Sequence, residues 1–453
     1  SSGAGAGAGT RLSATLASVR VPRARLVVAA AALLVAAGIL FLTRGFSFYF
    51  DEWSFILTAP DWTALTILQP HNEHPAMLAR LVYLALLSTV GLRSYLPYMA
   101  VLMALHATSA VLLFELIRRR QGDLVGLASA LLLLVIGAGW EDLLWAFQIG
   151  FVGSVACGLG MMLALEGPRS PRRLAIAAGL LTASLMFSGI GLVFGVTAGV
   201  RLIAAPDRRR DLAWLVPIAV AFAAWYLAFG RSGPPSVPPA SLHNLVLLPL
   251  YMAWGLAGSC AGLIGVAGAP AFVVLAFALA AIAMDWRLGK PDALALGAAA
   301  GLLAFFLVTG LTRAQLGVEQ SASGRYVYIG AAFWIVLLAG PAARLPWRGT
   351  WRPALAACLF LACFNSAVLL FAYSAAKTAQ MEREAADLAA LSDERSDPCL
   401  NPDGAVDPLV MPQVTSPAAF YRATDLYGFP APSVPVDQAA LAAARANLRK
   451  PGC

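Results

Sequence analysis

Many uninterrupted apolar runs of about 15 to 23 residues follow one another along this chain, separated by short breaks rich in Arg, Pro or Gly. A run of this length matches the ~20 residues that an α-helix needs to cross the hydrocarbon core of a bilayer. Membrane-spanning β-strands would instead need ~10-residue segments of alternating polarity, which the sequence lacks. Hydrophobic residues make up 60% of the chain. The pattern therefore predicts an all-α fold, a polytopic transmembrane bundle of about 11 to 13 helices.

The net charge of +8 comes from short arginine clusters between the apolar runs. Nucleic-acid binding would need an extended basic face, whereas such clusters are typical of the cytoplasmic loops of membrane proteins. Placing the clusters in the cytoplasm predicts a multi-pass protein of the cell membrane with its N-terminus in the cytoplasm and its C-terminus outside. The spans that satisfy this are about 26–43, 95–117, 124–139, 147–165, 174–187, 189–203, 212–229, 271–284, 293–309, 325–340 and 353–373.

Two apolar segments, 76–90 and 244–266, do not fit this alternation. Full crossings there would invert everything between them, so we expect re-entrant, interfacial or double-crossing segments. Non-helical backbone at membrane depth is tolerated only inside protein or along a water-filled cavity. A Pro-rich stretch at 230–239 predicts an extended outer loop.

Three regions follow from this arrangement: a flexible cytoplasmic N-terminus (1–25), a transmembrane domain (26–373, with its first outer loop at 44–75) and an extracytoplasmic C-terminal cap (374–453). In the cap, charged helices are expected at 377–394 and 437–450. Eight prolines between Pro398 and Pro435 predict irregular structure between them. A disulfide between Cys399 and Cys453 is permitted outside the cell, and the sequence leaves it open.

Asp51 and Glu52 lie almost directly after the first apolar run, flanked by aromatic residues. Polar groups near a bilayer are costly, so such a pair is a functional-site candidate. A partly desolvated carboxylate binds a proton more tightly and suits general-base catalysis on a hydroxyl group. The alternative is a pair of solvated loop carboxylates, or a cap for the helix that follows.

Two of the four histidines, His71 and His74, flank Asn72 and Glu73 in the same outer loop. Their spacing is not the H-E-x-x-H of zinc proteases. These side chains could hold a phosphate, form hydrogen bonds to a sugar, or join Asp51 in binding a divalent cation such as Mg²⁺ or Mn²⁺. The alternative is an interfacial polar turn closed by prolines.

A third cluster combines Glu141 and Asp142 with Trp140 and Gln148, and the predicted topology places it on the same outer side. Carboxylates beside aromatic side chains are suited to binding sugars. The sugar ring stacks on the aromatic face, and its hydroxyl groups donate hydrogen bonds to the carboxylate. The alternative is a belt of interfacial tryptophans with acids that reach the water.

Arg313, Arg325 and Tyr328 form a fourth cluster around the start of a late span. An outward-facing arginine at the top of a helix is well placed to bind a lipid-linked phosphate. Its alternative role is an interfacial anchor.

The pattern YFDEWSF, PHNEHP, GWEDLLWAFQIGF and GRYVY, spread over most of residues 26–373, resembles the GT-C superfamily of membrane glycosyltransferases, and within it actinobacterial multi-spanning members. The resemblance does not cover the tail. It implies an inverting transferase that moves sugar from a polyprenyl-phosphate donor to a glycan or lipid acceptor of the cell envelope, at the extracytoplasmic face.

By position in this resemblance, Asp51 would be the catalytic base and Glu52 would support it or bind sugar. Arg325, Arg313 or a histidine would meet the charge of the departing phosphate. Some superfamily members use a divalent metal and others do not, so the metal is left open. The other interpretations are a membrane transporter or lipid flippase, and a non-catalytic or polymerase-like envelope-assembly protein.

Overall fold

The structure of the protein, a computed structural model, describes residues 15–232, 242–430 and 434–453. Within these ranges the secondary structure is helical, with three isolated β-bridges and no strand. Nine helices of the described ranges are long and apolar enough to cross a membrane. A bent pair of helices, Asp123–Leu134 and Gly137–Leu144, makes a tenth candidate with a 42° break. The predicted all-α, polytopic bundle is confirmed.

The helices are α1 (Ala24–Leu42), α2 (Asp51–Thr58), α3 (Met77–Thr89), α4 (Leu96–Gln121), α5 (Asp123–Leu134), α6 (Trp140–Leu144), α7 (Ile149–Ala164), α8 (Pro171–Phe187), α9 (Gly191–Ala204), α10 (Leu215–Trp225), α11 (Leu242–Ala261), α12 (Pro270–Leu288), α13 (Ala293–Arg313), α14 (Gly324–Ala343), α15 (Trp351–Asp393), α16 (Pro417–Tyr427) and α17 (Gln438–Leu448).

The helix ends collect at two opposite faces of the bundle. One, which we call the arginine face, carries ion pairs that join distant helix ends: Arg120 lies 2.7 Å from Asp292 and 3.0 Å from Glu166, and Arg169 lies 2.6 Å from Asp211. The other, which we call the site face, carries the ends of α13 and α14 that hold Arg313 and Arg325, together with α2. The arginine clusters thus share one face, as the charge pattern predicts.

Helix α11 contains most of the unplaced segment 244–266, and both of its ends lie toward the site face. Asn244 at its start donates a hydrogen bond to Leu311 O (2.8 Å), near the site-face end of α13. Asn365, about 20 Å from the arginine-face end of α15, donates to Ile264 O (2.8 Å) just beyond α11. The helix therefore lies on the site-face side of the bundle without crossing to the arginine face, which leaves the order of the other crossings unchanged.

Helix α3 contains the other unplaced segment and also belongs to the site face. Its 13 residues extend about 20 Å, which is short of the ~30 Å hydrocarbon core. Beyond its C-terminal end, Leu92 donates a backbone hydrogen bond to Tyr427 O (2.9 Å) in the C-terminal tail. Of the re-entrant, interfacial and double-crossing arrangements expected for this segment, an interfacial helix describes α3 best.

Arg80 in α3 fixes the outer loop that precedes it. The buried guanidinium donates to the carbonyls of Thr66 and Ile67 (both 3.1 Å) and Pro70 (3.3 Å). Because hydrogen bonds from a charged group are worth about 1.5–3 kcal/mol each, we expect Arg80→Ala to increase proteolytic cleavage within residues 62–70 by about tenfold or more. Limited proteolysis in detergent measures this, with Arg93→Ala, at an exposed arginine, as control. Equal cleavage rates in wild type, Arg80→Ala and Arg93→Ala would show that Arg80 does not fix the outer loop.

The tail differs from its prediction in two places. Helix α15 runs unbroken for 43 residues, about 65 Å, so the predicted boundary at 374 falls inside one helix that continues beyond the bilayer. The Pro-rich region contains α16, where irregular structure was expected. Pro417 occupies the first turn, where its missing N–H costs nothing, and the Ser416 hydroxyl accepts a hydrogen bond from Ala419 N (3.2 Å). The second tail helix is confirmed as α17, and Cys399 and Cys453 form a disulfide.

The segment before α1 is also more ordered than predicted. Leu16 N donates to Leu345 O (3.0 Å), and Val21 N donates to the Asp123 carboxylate (3.1 Å). Backbone groups of residues 15–23 therefore form hydrogen bonds to the bundle within the segment predicted to be a flexible N-terminus. The Gly/Ala tract at 1–10 and most of the Pro-rich loop at 230–239 lie outside the described residues.

Candidate functional site

Asp51 is the first residue of α2, and the backbone before it is strained. Phe50 has φ 53° and ψ −127°, a conformation that costs a residue with a side chain about 1–3 kcal/mol. Positive φ lets the chain turn sharply out of the preceding segment and start α2 at the carboxylate. The helix N-terminus then favours negative charge on Asp51. Burial raises the pKa of Asp51, while the charge of Arg325 and a hydrogen bond from Gln413 oppose that rise.

Glu52, the next residue, points away from Asp51 into a fully buried polar pocket. Its carboxylate accepts hydrogen bonds from the hydroxyls of Tyr83 (2.7 Å) and Tyr95 (3.2 Å) and from Tyr49 N (3.1 Å). Burial raises the pKa of Glu52 to about 8 in spite of these donors. Since Glu52 does not line the cavity described below, its geometry favours the supporting role over direct sugar binding.

His71 and His74 close a two-residue turn of type I′ geometry. Each backbone N–H donates to the other's carbonyl (both 2.9 Å), and Asn72 and Glu73 between them have φ 46° and 67°. Residues paired in this way project their side chains to the same side. Burial lowers the pKa of His71 to about 4 and that of His74 to about 3. Both imidazoles are therefore neutral near pH 7, which suits hydrogen bonding and does not suit cationic phosphate binding.

A narrow cavity of about 80 Å³ joins these groups at the site face. Its polar lining includes six of the residues that the sequence singled out: Asp51, His71, His74, Gln148, Arg313 and Arg325. Its aromatic lining includes Phe55, Trp145, Phe147 and Phe151. Three helices and one turn thus bring together a carboxylate, two guanidinium groups and two neutral imidazoles within one cavity.

A second cavity, about 430 Å³ and mainly apolar, adjoins the first. His74, Arg313 and Tyr326 belong to the walls of both. Beyond this shared wall the lining is formed by side chains of α9, α10 and α13, including Val193, Phe222 and Phe305. Glu73 faces this second cavity and lies 3.7 Å from Arg313, so the two form an ion pair at the junction.

Besides Glu52, four sequence-predicted residues lie outside both cavities: Trp140, Glu141, Asp142 and Tyr328. The Trp140 ring stacks on Tyr373 (4.7 Å between centroids), and the Tyr328 hydroxyl lies 3.0 Å from His106 Nδ1. Their interactions are therefore with protein groups.

The acidic pair of α6 lies close to Arg325, a residue of the first cavity. Glu141 is 3.7 Å from the Arg325 Nε. Asp142 is fully buried, and neither of its carboxylate oxygens has a hydrogen-bond partner within the described ranges. Glu141 can thus hold Arg325 electrostatically from behind, a role that differs from the predicted contact with sugar.

A divalent cation does not fit the residues that the structure brings together. Across residues 15–232, 242–430 and 434–453, no group of three or more His, Cys, Asp or Glu side chains is arranged to hold a metal. We therefore derive no chemical step through a metal ion.

The sequence did not identify Gln413, which donates a hydrogen bond from its Nε2 to the Asp51 Oδ1 at 3.0 Å. The two residues are 362 positions apart in the chain, and nothing in the local pattern marks the glutamine. Tyr83 and Tyr95 were missed too, although a buried carboxylate such as Glu52 requires hydrogen-bond donors nearby.

Comparison of the chain with protein-family models, with curated proteins and with solved structures gives no match. Support for a function thus comes from the chemistry of the two cavities and from the resemblance of the sequence motifs.

Proposed function

We propose that this protein is an integral membrane glycosyltransferase, an inverting enzyme that takes sugar from a polyprenyl-phosphate donor. The observation that carries the proposal is the wall shared by the two cavities. A carboxylate and two arginines line one small cavity, and one of these arginines also lines a larger, mainly apolar cavity beside it. A donor with a lipid chain, a phosphate and a sugar presents these three chemistries in the same order.

Asp51 is the proposed general base. It accepts the proton of an acceptor hydroxyl, and that oxygen attacks the anomeric carbon of the donor sugar. The bond from this carbon to the phosphate oxygen breaks, and its electron pair leaves with the lipid phosphate. One displacement inverts the anomeric configuration. Burial raises the pKa of Asp51, and a higher proton affinity strengthens a carboxylate as a general base.

Arg313 and Arg325 are the proposed partners of the leaving phosphate. Guanidinium groups bind phosphate oxygens through paired N–H donors and stabilise the negative charge that develops as the bond breaks. The neutral His71 and His74 supply hydrogen bonds for sugar hydroxyls, with Gln148 at the same wall. The apolar cavity accepts the isoprenoid chain next to Arg313.

The arrangement of charges supports an extracytoplasmic site. Arginine clusters prefer the cytoplasm, and they occupy the face opposite Asp51. The Cys399–Cys453 disulfide lies in the tail that covers the site face, and disulfides persist in oxidising compartments outside the cytoplasm. We therefore place the arginine face in the cytoplasm and the acceptor, a cell-envelope glycan or lipid, on the other side of the cell membrane.

Replacement of the two arginines should weaken binding of the donor phosphate. We expect Arg313→Gln or Arg325→Gln to lower affinity for undecaprenyl phosphate by about tenfold to a hundredfold, because a charge-assisted hydrogen bond is worth about 1.5–3 kcal/mol. Native mass spectrometry or ligand-induced thermal stabilisation measures this. Arg344→Gln, which changes the same side chain on the arginine face beside Asp285, should bind like wild type. Equal affinity in all four proteins would remove the arginines from the phosphate site.

The proposed function is tested by comparing the envelope glycans of a deletion strain with those of its parent. We expect loss of one glycosyl substitution, restored by the wild-type gene. A lipid transporter or flippase would use the apolar cavity without a general base, so restoration by Asp51→Asn would favour that rival. An unchanged glycan profile, together with no transfer from polyprenyl-phosphate sugars in detergent, would contradict the enzyme.

A further inference from the structure

The cap loop that carries Gln413 is held firmly on both sides of that residue. Met411 and Val414 are buried, at 0% and 1% exposure, and Val414 N donates to Met411 O (2.9 Å) across the glutamine. Asp407 fixes the start of the turn by accepting from Val410 N (3.1 Å). A side chain on such a turn is presented in a fixed direction, which is what precise placement of a partner requires.

The same cap is fastened to the short helix that begins with Asp51. Phe420 of α16 packs on Trp53 of α2, with 5.3 Å between ring centroids, and the Trp53 indole donates to the fully buried Glu384 of α15 (3.0 Å). Arg422 pairs with Asp61 just after α2 (2.9 Å). The glutamine and the carboxylate are therefore carried by elements that are locked to each other.

From this arrangement, and resting on the proposed function, we infer that Gln413 is a positioning residue for the general base: its amide holds one oxygen of Asp51 and leaves the other free for the acceptor hydroxyl. The glutamine Nε2 donates to Oδ1 only. The C-terminal cap thus contributes Gln413 to the site, while the transmembrane helices α13 and α14 contribute the arginines.

Several charged or titratable groups surround Asp51, and each affects its proton affinity. Arg325 of α14 favours the carboxylate. Arg313 of α13 lines the same cavity, and Glu52 on the same helix is directed into its own buried pocket, where its raised pKa of about 8 keeps it protonated near neutral pH. His71 and His74 from the turn are neutral, and Tyr49 precedes α2. Gln413 is the cap residue that bonds to Asp51, so changes at Gln413 alter one contact and leave the other groups in place.

Two variants of nearly the same length separate the hydrogen bond from the volume of the side chain. Gln413→Met removes the donor, and Gln413→Glu replaces it with a second carboxylate. We expect the protonation midpoint of Asp51 to rise by about one pH unit in Gln413→Met and by more in Gln413→Glu, because the charged form loses its donor or gains a like charge. Gln438→Met, at an exposed glutamine of α17, serves as the matched control.

The midpoint is measured by modifying the full-length protein with a water-soluble carbodiimide and glycine ethyl ester across a pH series. Tandem mass spectrometry locates label at Asp51, normalised to the exposed Asp207. The acidic limb of the pH–rate profile for transfer gives an independent second reading, and both should move in the same direction.

Unchanged values for both Gln413 variants, by labelling and by rate, would overturn the positioning role even if transfer activity is present. Shifted labelling in a protein that shows no transfer would support the contact and count against the glycosyltransferase function. A rate loss in Gln413→Met equal at every pH, with an unmoved labelling midpoint, would assign the residue to cap stability and contradict the inference.

Discussion

Asp51→Asn should reduce transfer by about 10²–10⁴-fold, the range that general-base catalysis contributes, while leaving the folded protein intact. Asparagine keeps the shape of the side chain and can still accept the hydrogen bond from Gln413 at its amide oxygen. Loss of the charge costs the favourable interaction with the start of α2, about 0.3–1 kcal/mol. Relief from burial of that charge offsets this cost, because burial is what raises the pKa of Asp51.

The measurement is transfer from radiolabelled polyprenyl-phosphate sugars by the purified variant, together with rescue of the envelope glycans in the deletion strain. Asp207→Asn makes the same chemical change at an exposed residue after α9, on the arginine face, and should behave like wild type in both assays. Wild-type activity in Asp51→Asn would refute Asp51 as the base. An inactive Asp51→Asn variant with a markedly lower thermal midpoint would point to misfolding. Asp51→Glu, which keeps the charge, then shows whether transfer depends on a carboxylate at this position in a folded protein.

Much of the bundle is predictable because membrane insertion imposes length and polarity on each crossing helix. The arginine clusters correctly indicated which helix ends lie together, as Arg120 and Asp292 show. Segments 76–90 and 244–266 could not be settled from hydropathy, since an apolar helix that packs along the site face has the same composition as a crossing one. Only tertiary contacts, such as that between Asn244 and Leu311, fix their depth.

The site was predictable in part, for a different reason. Polar side chains at the membrane surface are conspicuous in so apolar a chain, and Asp51, His71, His74, Arg313 and Arg325 were found on that basis. The sequence does not show in the same way which residue of a polar cluster lines the cavity and which is buried behind it. Adjacent residues such as Asp51 and Glu52 point to opposite sides of a strained helix start, so composition cannot tell the cavity residue from the buried one.

Glu52→Gln should change how the stability of the protein depends on pH. Burial raises the pKa of Glu52 from 4.5 to about 8, so between these values the folded protein keeps a proton that the unfolded chain has released. Stability therefore falls as pH rises through this window, at up to about 1.4 kcal/mol per pH unit. Glutamine, which does not titrate, removes this contribution and preserves the volume that fills the pocket of Tyr83 and Tyr95.

The observable is the free energy of unfolding of wild type minus that of Glu52→Gln, followed from about pH 5 to about pH 8. His71 and His74 also make stability depend on pH, because their lowered pKa values make it rise with pH below 6.5. This contribution is the same in both proteins and cancels in the difference. Asp61→Asn provides the control, because the Arg422 pairing lowers the pKa of Asp61 and confines its effect to more acidic pH. Wild type should lose stability relative to Glu52→Gln as pH rises, whereas its difference from Asp61→Asn should stay level. A level difference for Glu52→Gln as well would mean that Glu52 is ionised in the folded protein, held by its three donors as a buried anion.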